Sequence, residues 1–517
     1  MSSVYEMPQV WPTVVHILDE AARKAPDGIA LICGNESLTY RQYAACVAGL
    51  ARELKVAGAG EGTRVALVMS NSLDIAIATF GVQAAGAQVV PLNPAYTASE
   101  LEPILENADA TAIIYDSTCA RTLAGILKSF SFEYRIEVGP AARRLTSWRD
   151  QSELSDLLPL PQPGMLSTLQ YTGGTTGRSK GVSLTHQAVS INVSQRDALL
   201  PTEKESERIL AITPLFHVYA VSMGLYLAAY CRSTLVIMPR YRPDDTLDAI
   251  AKHRITLLSG SPTIFVGLMG YEGFANADLS SLRLCFSGSS ALSEETLRRW
   301  ETATGCVVCE GYGQTEAGPV LTYNPRKGLR KIGSVGVPVP YTEVQIVDVE
   351  TGGQVLPVGA VGEIRARGLQ IMTEYRAMPG ETAVALRDGW LYTGDIGRLD
   401  SDGYLFICDR KKEMAIVGGF NVYPREVEEA LFTHSSILEA AVVGVPDNYR
   451  GEVLIACVVS NDKDLSEDSL KRYLADQLVK YKWPSEILFV SELPYTSVGK
   501  IDKKRLRTEL VAARLAG

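Results

Sequence analysis

The sequence predicts an α/β protein. It has a large N-terminal domain of βαβ-built sheets with a small β-subdomain, then a small α+β C-terminal domain. Three observations lead there. Strand-like and helix-like segments alternate over 64–92 and again over 282–309, which is the rhythm of parallel βαβ units. A turn-rich break, Gly333-Ser334-Val335-Gly336-Val337-Pro338, is followed by short strands and a hairpin. A charge cluster, Asp409-Arg410-Lys411-Lys412-Glu413, then precedes a short mixed unit. With 517 residues the chain exceeds what one core usually serves. The expected domains are 1–410 and 411–517.

The elements follow in order. Arg64 to Asn71 reads as a strand, Leu73 to Ala85 as an apolar helix and Ala87 to Leu92 as a strand ended by Asn93-Pro94. Leu166 to Tyr171 alternates apolar and polar residues, and Val182 to Leu184 reads as the strand that returns from the loop between them. Ile209 to Cys231 carries no Asp, Glu, Lys or Arg and is long enough to span a membrane. Pro214, His217 and several hydroxyls interrupt it, so it reads as a buried strand followed by a buried helix. Leu282 to Phe286 is a strand. Ser293 caps a helix with Glu294 and Glu295 in its first turn, and Gly305 stops it after Thr304. Cys306 to Cys309 is the next strand. Val344 to Val347 and Glu363 to Arg367 are short strands, and the hairpin begun at Trp390 turns at Asp400-Ser401-Asp402-Gly403. In the last unit Pro424 starts a helix with the apolar stripe Val427, Ala430 and Leu431. Ala440 to Val445 and Val453 to Val459 are strands, and Asp468 to Val479 is a helix.

Composition excludes several classes. Hydrophobic residues make up 46% and charged residues 21%, an ordinary globular balance. The formal charge of -9 argues against a general nucleic-acid surface. The first twelve residues lack a basic stretch before an apolar run, so no secretory signal is read. The nine cysteines are scattered. Cys306-Val307-Val308-Cys309 has no second pair and puts its thiols on opposite faces of a strand, which favours core packing over a metal or redox site. The usage fits a reducing cytoplasm. The five histidines show no H-E-x-x-H, so zinc has no support.

The chemistry concentrates in Tyr171-Thr172-Gly173-Gly174-Thr175-Thr176-Gly177-Arg178-Ser179-Lys180-Gly181. Glycines let backbone N–H groups turn toward an anion. The hydroxyls add donors and Lys180 adds a positive charge, so the stretch suits a polyphosphate. The common phosphate loop, ending Gly-Lys-Ser/Thr and opening a helix, does not fit, because here the lysine precedes its glycine. By itself the run is equally a surface turn. Ser287-Gly288-Ser289-Ser290 and Glu310-Gly311-Tyr312-Gly313-Gln314-Thr315-Glu316 fall beyond the carboxyl ends of parallel strands, where open α/β sheets bind ligands. An aromatic beside glycines can stack on a base, and Thr315 and Glu316 offer the oxygen ligands that magnesium takes.

Taken together and in order, these segments resemble the adenylate-forming superfamily of acyl-CoA synthetases, adenylation domains and luciferases. The matching motifs are 171–181, Tyr312-Gly313-Gln314-Thr315-Glu316, Tyr392-Thr393-Gly394-Asp395, Asp409-Arg410-Lys411-Lys412, Gly418-Gly419-Phe420-Asn421-Val422-Tyr423-Pro424 and Gly499-Lys500. Several stretches are most similar to long-chain fatty acyl-CoA ligases. The resemblance implies two steps: a carboxylate attacks the α-phosphorus of ATP to give acyl-AMP, then the thiol of coenzyme A displaces AMP. It implies that Thr172, Gly173, Gly174, Thr175, Thr176, Gly177 and Lys180 hold phosphates, and that Thr175 and Glu316 bind Mg2+. Tyr312 would lie against adenine, with Ser289, Ser290, Glu310, Gly311, Gly313 and Thr315 around the nucleotide. Asp395 would accept the ribose hydroxyls and Arg410 would contact ribose or phosphate. Lys500 would reach between carboxylate and α-phosphate. His217 would stand near the carboxylate and the thiol route, with Val218, Tyr219, Gly288, Gln314, Ala317 and Gly318 as acyl contacts. Phe265 and Met223 are possible walls of the same space. The C-terminal domain would be mobile, rotating about Lys412 to present Gly418, Gly419 and Phe420 to coenzyme A.

The expected acid is a medium- or long-chain fatty acid. Ile416 stands where some aromatic-acid ligases carry lysine, which favours the fatty-acid branch. An aryl or arylalkanoic acid ligase is the alternative, as are a stand-alone adenylation enzyme loading a carrier protein and a non-catalytic binding protein that kept the fold. The implied partners are the acid, ATP and coenzyme A, with no nucleic acid, no transmembrane segment, and a monomer or homodimer in the cytoplasm.

Overall fold

Every residue of the helix Leu73–Ala84 is buried. A helix apolar on all sides belongs between two layers, and that is where it lies in this computed structural model. Residues 5–151, 157–172, 179–288, 290, 292–447, 449–496 and 500–516 are described. On one side is a seven-stranded sheet in the order Glu374–Tyr375, Lys180–Thr185, Leu166–Thr172, Gln88–Leu92, Arg64–Val68, Ala112–Asp116, Tyr134–Val138. On the other is a nine-stranded sheet running Val337–Pro338, Val320–Tyr323, Val308–Gly313, Leu284–Ser287, Leu257–Gly260, Arg208–Ala211, Thr234–Ile237, Ile29–Cys33, Glu36–Thr39. One hydrophobic core draws Val65, Leu67 and Val89 from the first sheet and Leu31, Ile209 and Leu284 from the second. Phe80 meets Tyr43 and Tyr226 edge-on there, at 5.9 and 5.4 Å between ring centres.

The expected βαβ unit is present. Ser293 accepts from Thr296 N, and Gly305 ends the helix Glu294–Thr304 at φ 67°. The flanking strands pair parallel, Phe286 opposite Cys309. Cys306 and Cys309 are both buried, in different core clusters on opposite faces of the sheet. Leu166–Thr172 and Lys180–Thr185 form the predicted antiparallel hairpin.

Several boundaries differ, among them these three. The strand after Gly305 runs Val308–Gly313 rather than 306–309. It therefore carries Glu310 to Gly313 inside the sheet, paired antiparallel with Val320–Tyr323, and not in a loop beyond it. The strand from Arg64 ends at Val68. Asn71 leaves it because its side chain is used elsewhere, donating to Thr213 O and Met238 O and accepting from Leu215 N at 2.7 Å. The helix expected to Val479 spans Glu467–Ala475, and the carbonyl of Leu478 is taken by the Trp483 indole.

A third sheet joins Thr342–Val347, Gly362–Gly368, Trp390–Leu399, Leu386–Arg387 and Leu405–Arg410. A fourth, in the last lobe, joins Phe420–Val422, Ala415–Val417, Gly451–Ser460, Ile437–Asp447 and Glu486–Phe489. Its helix Pro424–Phe432 starts on proline and buries Val427, Ala430 and Leu431. Among the described residues no helix is long and apolar enough to cross a membrane. The run 209–231 is a buried strand, a loop and a helix that widens to a π-turn over Val221–Tyr226.

Asn71 is buried and ties three backbone groups of neighbouring segments. Asn71→Ala would strand them, at a cost of about 2–3 kcal/mol. A lowered urea midpoint is expected; an unchanged midpoint would refute this role.

Candidate active site

The cleft lies where Leu257–Gly260, Leu284–Ser287 and Val308–Gly313 end side by side, with Phe286 flanked by Ser259 and Cys309. This is the ligand-bearing edge of such a sheet. The segment Pro214–His217 closes it from one side. Gln170 Nε2 donates to Phe216 O at 3.0 Å, and Asn71 holds Leu215. His217 caps the turn Val218–Ala220, its Nδ1 accepting from Tyr219 N at 3.3 Å. Its neutral tautomer therefore carries the proton on Nε2. Burial, with the Lys500 charge nearby, pushes its pKa down to about 3. Tyr219 packs against Gly288, where an added Cβ would stand 3.1 Å from the ring. Val218 and Ala317 are buried. Gly318 has φ +75°, and a Cβ there would meet Gln370 O at 2.8 Å. The backbone itself thus demands glycine, whatever room it leaves for an acyl group.

The strand Val308–Gly313 brings up the next groups. A Cβ at Gly313 would overlap Pro319 O at 1.9 Å, so the antiparallel turn-back is possible only with glycine. Glu310 is 3% exposed and accepts from Leu292 N at 3.0 Å. Burial raises its carboxyl to about 7, although Arg425 of the last lobe opposes the shift. Tyr312 donates to Asp395 Oδ2 at 2.5 Å, and Arg410 Nε lies 3.7 Å from Asp395 Oδ1. Burial raises the Asp395 pKa, opposed by Arg410 and the Tyr312 hydrogen bond.

Lys500 enters this group from the last lobe. Burial and the Arg410 charge lower its pKa to about 8, and Asp395 pulls the other way. Its segment is held by Thr496 N donating to Lys500 O at 2.7 Å and by the Tyr495–Ile501 bridge. One turn later Lys503 pairs with Glu428 at 2.8 Å and Glu413 at 3.6 Å. Asp409 accepts from Arg425 N at 3.0 Å across the lobe junction. These contacts fix the orientation that keeps Lys500 in the cleft.

Glu316 accepts the Tyr375 hydroxyl at 2.7 Å and keeps its second oxygen as a hard ligand atom. A single carboxylate fits magnesium, which retains waters and takes phosphate oxygens. Among the described residues no cluster of three acidic, His or Cys side chains would hold a metal alone. Lys180 pairs with Glu381 and lies over the Tyr375 ring at 4.9 Å. Thr172 ends its strand opposite Lys180. Thr315 opens the short turn Thr315–Ala317 after the extended Gln314, and Ser290 is exposed. Gly173, Gly174, Thr175, Thr176, Gly177 and Ser289 lie outside the described residues.

Lys412 stands in the turn between the third and fourth sheets and within electrostatic reach of Glu381. Gly418 and Gly419, at φ +59° and +86°, turn the hairpin Ala415–Val417/Phe420–Val422. Phe420 stacks on Tyr481 with ring centres 4.6 Å apart, and Ile416 is half exposed. Sequence reasoning missed Asn71, Tyr375 and Glu381, since none belongs to a motif. Gln170 lay in a quoted stretch, but its side chain's grip on Phe216 was invisible.

The fold and cleft define a two-lobed enzyme scaffold in which the smaller lobe sets a lysine against Asp395 and Arg410 of the larger. The chain belongs to the AMP-binding enzyme family, whose model matches residues 18–376. The model of the AMP-binding enzyme C-terminal domain matches 426–500. The chain is 37% identical to a long-chain-fatty-acid–CoA ligase of Bacillus subtilis, over 98% of this chain and 96% of that one. It is 35% identical to a feruloyl-CoA synthase of Amycolatopsis, over 94% and 96%. The ATP-bound crystal structure of MatB from Rhodopseudomonas palustris, 30% identical, superimposes with a TM-score of 0.89 over 96% of this chain and 99% of that one. The apo form of the same protein gives 0.79 over 97% and 99%.

The Glu310 proton sets a pH prediction. The folded protein keeps it from the ordinary 4.5 up to about 7, so stability falls as pH rises through that window, by a total on the order of 2–3 kcal/mol. Glu310→Gln keeps the acceptor and removes the slope. The melting-temperature difference, variant minus wild type, is expected to grow across the window and level off above it. A constant difference would overturn the assignment.

Proposed function

We propose that this chain is an AMP-forming acyl-CoA ligase that activates a medium- or long-chain fatty acid and transfers it to coenzyme A. The observation that carries the reading is the meeting of Lys500 with Asp395 and Arg410, a cation of the last lobe set among polar groups of the large one. Full-length similarity to a long-chain ligase supports the acid class. The higher TM-score to the ATP-bound MatB form than to its apo form supports a lobe arrangement suited to the first step.

That step sets an anionic carboxylate against a polyanion, so its barrier is electrostatic. Asp395 accepts the ribose hydroxyls after exchanging its bond with Tyr312, and Arg410 flanks ribose and phosphate. Gly173 to Gly177 and Lys180 cradle the outer phosphates, Lys180 giving up Glu381 for them. When bound by Glu316 and Thr175, magnesium neutralises phosphate oxygens. The Lys500 ammonium sits between carboxylate and α-phosphate. A carboxylate oxygen forms the bond to phosphorus as the bond to pyrophosphate breaks. His217 carries its proton on Nε2 because Nδ1 accepts from Tyr219 N, so Nε2–H donates to the carboxylate, and the pKa depressed to about 3 makes the ring a weak base. In the second step the lobe turns about Lys412, Lys500 withdraws, and the hairpin at Gly418, Gly419 and Phe420 meets the pantetheine arm. The thiol sulfur attacks the acyl carbonyl, its proton passes to solvent, and AMP leaves.

Three measurements test this. In a carboxylic-acid panel with ATP and coenzyme A, AMP release and thioester mass are expected with fatty acids. Thioester from aryl acids alone would reject the acid class. Lys500→Ala should lower acyl-AMP formation by about 100-fold or more yet still convert supplied acyl-AMP to thioester. In the wild type, kcat/KM for adenylation should fall above about pH 8 as the ammonium loses its proton.

Lys412→Pro fixes φ at the proposed pivot. Adenylation is expected to persist while thioester formation slows by about tenfold or more. Equal, mild losses in both half-reactions would count against the pivot.

A further inference from the structure

Arg196 stands apart from this machinery. It lies on the helix His186–Leu199 and its side chain is 0% exposed. Nη1 donates to Leu200 O at 2.7 Å. The nearest carboxylate oxygen, Asp197 Oδ1, is 3.7 Å away and is already taken by Thr202 N and Thr202 Oγ1 at 2.9 and 2.7 Å. Among the described residues neither Nε nor Nη2 finds an acceptor. Those two N–H groups form the side-on edge of the guanidinium, the fork that a carboxylate matches with two parallel hydrogen bonds. A buried cation with an empty fork is costly unless something fills it.

The fork's surroundings say where its partner comes from. The guanidinium carbon sits 4.8 Å from the Phe286 ring, with Tyr219, Tyr323, Cys231 and Asp197 as the titratable groups around it. Tyr219 is the residue packed on Gly288, and its hydroxyl donates to Phe286 O at 3.3 Å. Tyr323 reaches Met223 on the far side. Arg196 therefore lies beside Tyr219, two residues after His217, and Tyr323. A hydrocarbon tail running past Tyr219 would meet a guanidinium whose Nε and Nη2 have no acceptor among the described residues.

We propose that the acid this enzyme prefers carries a second carboxylate on its tail, bound by the Nε/Nη2 fork of Arg196, so that the protein activates one end of a dicarboxylic fatty acid. This rests on the ligase reading above and narrows its substrate. The test compares α,ω-dicarboxylic acids with monocarboxylic acids of matched length. It follows acid-dependent ATP–pyrophosphate exchange in the wild type, Arg196→Met and Arg196→Lys. At the best chain length the wild type should favour the dicarboxylate in kcat/KM by roughly 30-fold or more. Arg196→Met should reverse that preference through KM for the acid, with KM for ATP unchanged. Arg196→Lys, which keeps the charge and loses the fork, should fall between. A wild type that prefers the monocarboxylate at every length overturns the proposal without needing a variant. So does a folded Arg196→Met with an unchanged preference, which would mean that water fills the fork. Exchange with neither class of acid would instead sink the ligase reading itself.

Discussion

The placement of one ammonium group governs the rest of this structure. Lys500 comes from a lobe of its own, yet its charge is felt by Asp395 and His217 of the large lobe. Taking a cation out of water is expensive, and only nearby negative charge or a polar ligand offsets it. Asp395 supplies part of that offset while Arg410 works against it. The depressed Lys500 pKa, the neutral His217 and the shared hydrogen bond of Tyr312 and Asp395 follow from the same enclosure.

Holding that lysine in place falls to the lobe junction. Lys503, buried among Glu428, Glu413 and Asp409, has its pKa raised despite desolvation, because three carboxylates outweigh burial. Asp409 spends one oxygen on its own neighbour Arg410 N and the other on Arg425 N. Arg425 in turn faces Glu310 beneath the nucleotide motif. A chain of polar contacts therefore links Glu310 of the large lobe to the segment that carries Lys500. Such contacts are geometry-dependent and of modest net energy.

The glycines of the motifs divide along physical lines. Gly313 and Gly318 are required by backbone approach, to Pro319 O and Gln370 O. Gly418 and Gly419 sit in open space with left-handed φ, so they shape a turn and leave its outer face clear. Read as letters these four look alike. Only the packing separates a glycine that admits a neighbouring strand from one that admits a ligand.

The sequence by itself determined the fold class, the βαβ unit that it placed over 282–309, the hairpin of Leu166–Thr172 and Lys180–Thr185 and the polar motifs, because periodicity, caps and glycine spacing are local and survive without coordinates. It also named Lys500, Asp395, Arg410 and Glu316, since each stands in a motif whose neighbours restrict its meaning. Tertiary structure alone decided which of these meet. Asn71 was hidden because it acts on backbone carbonyls some 140 to 170 positions away. Tyr375 and Glu381 were hidden because they gain their roles only where the strand Glu374–Tyr375 pairs with Lys180–Thr185. Arg196 read as one more polar residue on a helix. Its burial comes from packing between layers distant in the chain, which no local pattern encodes.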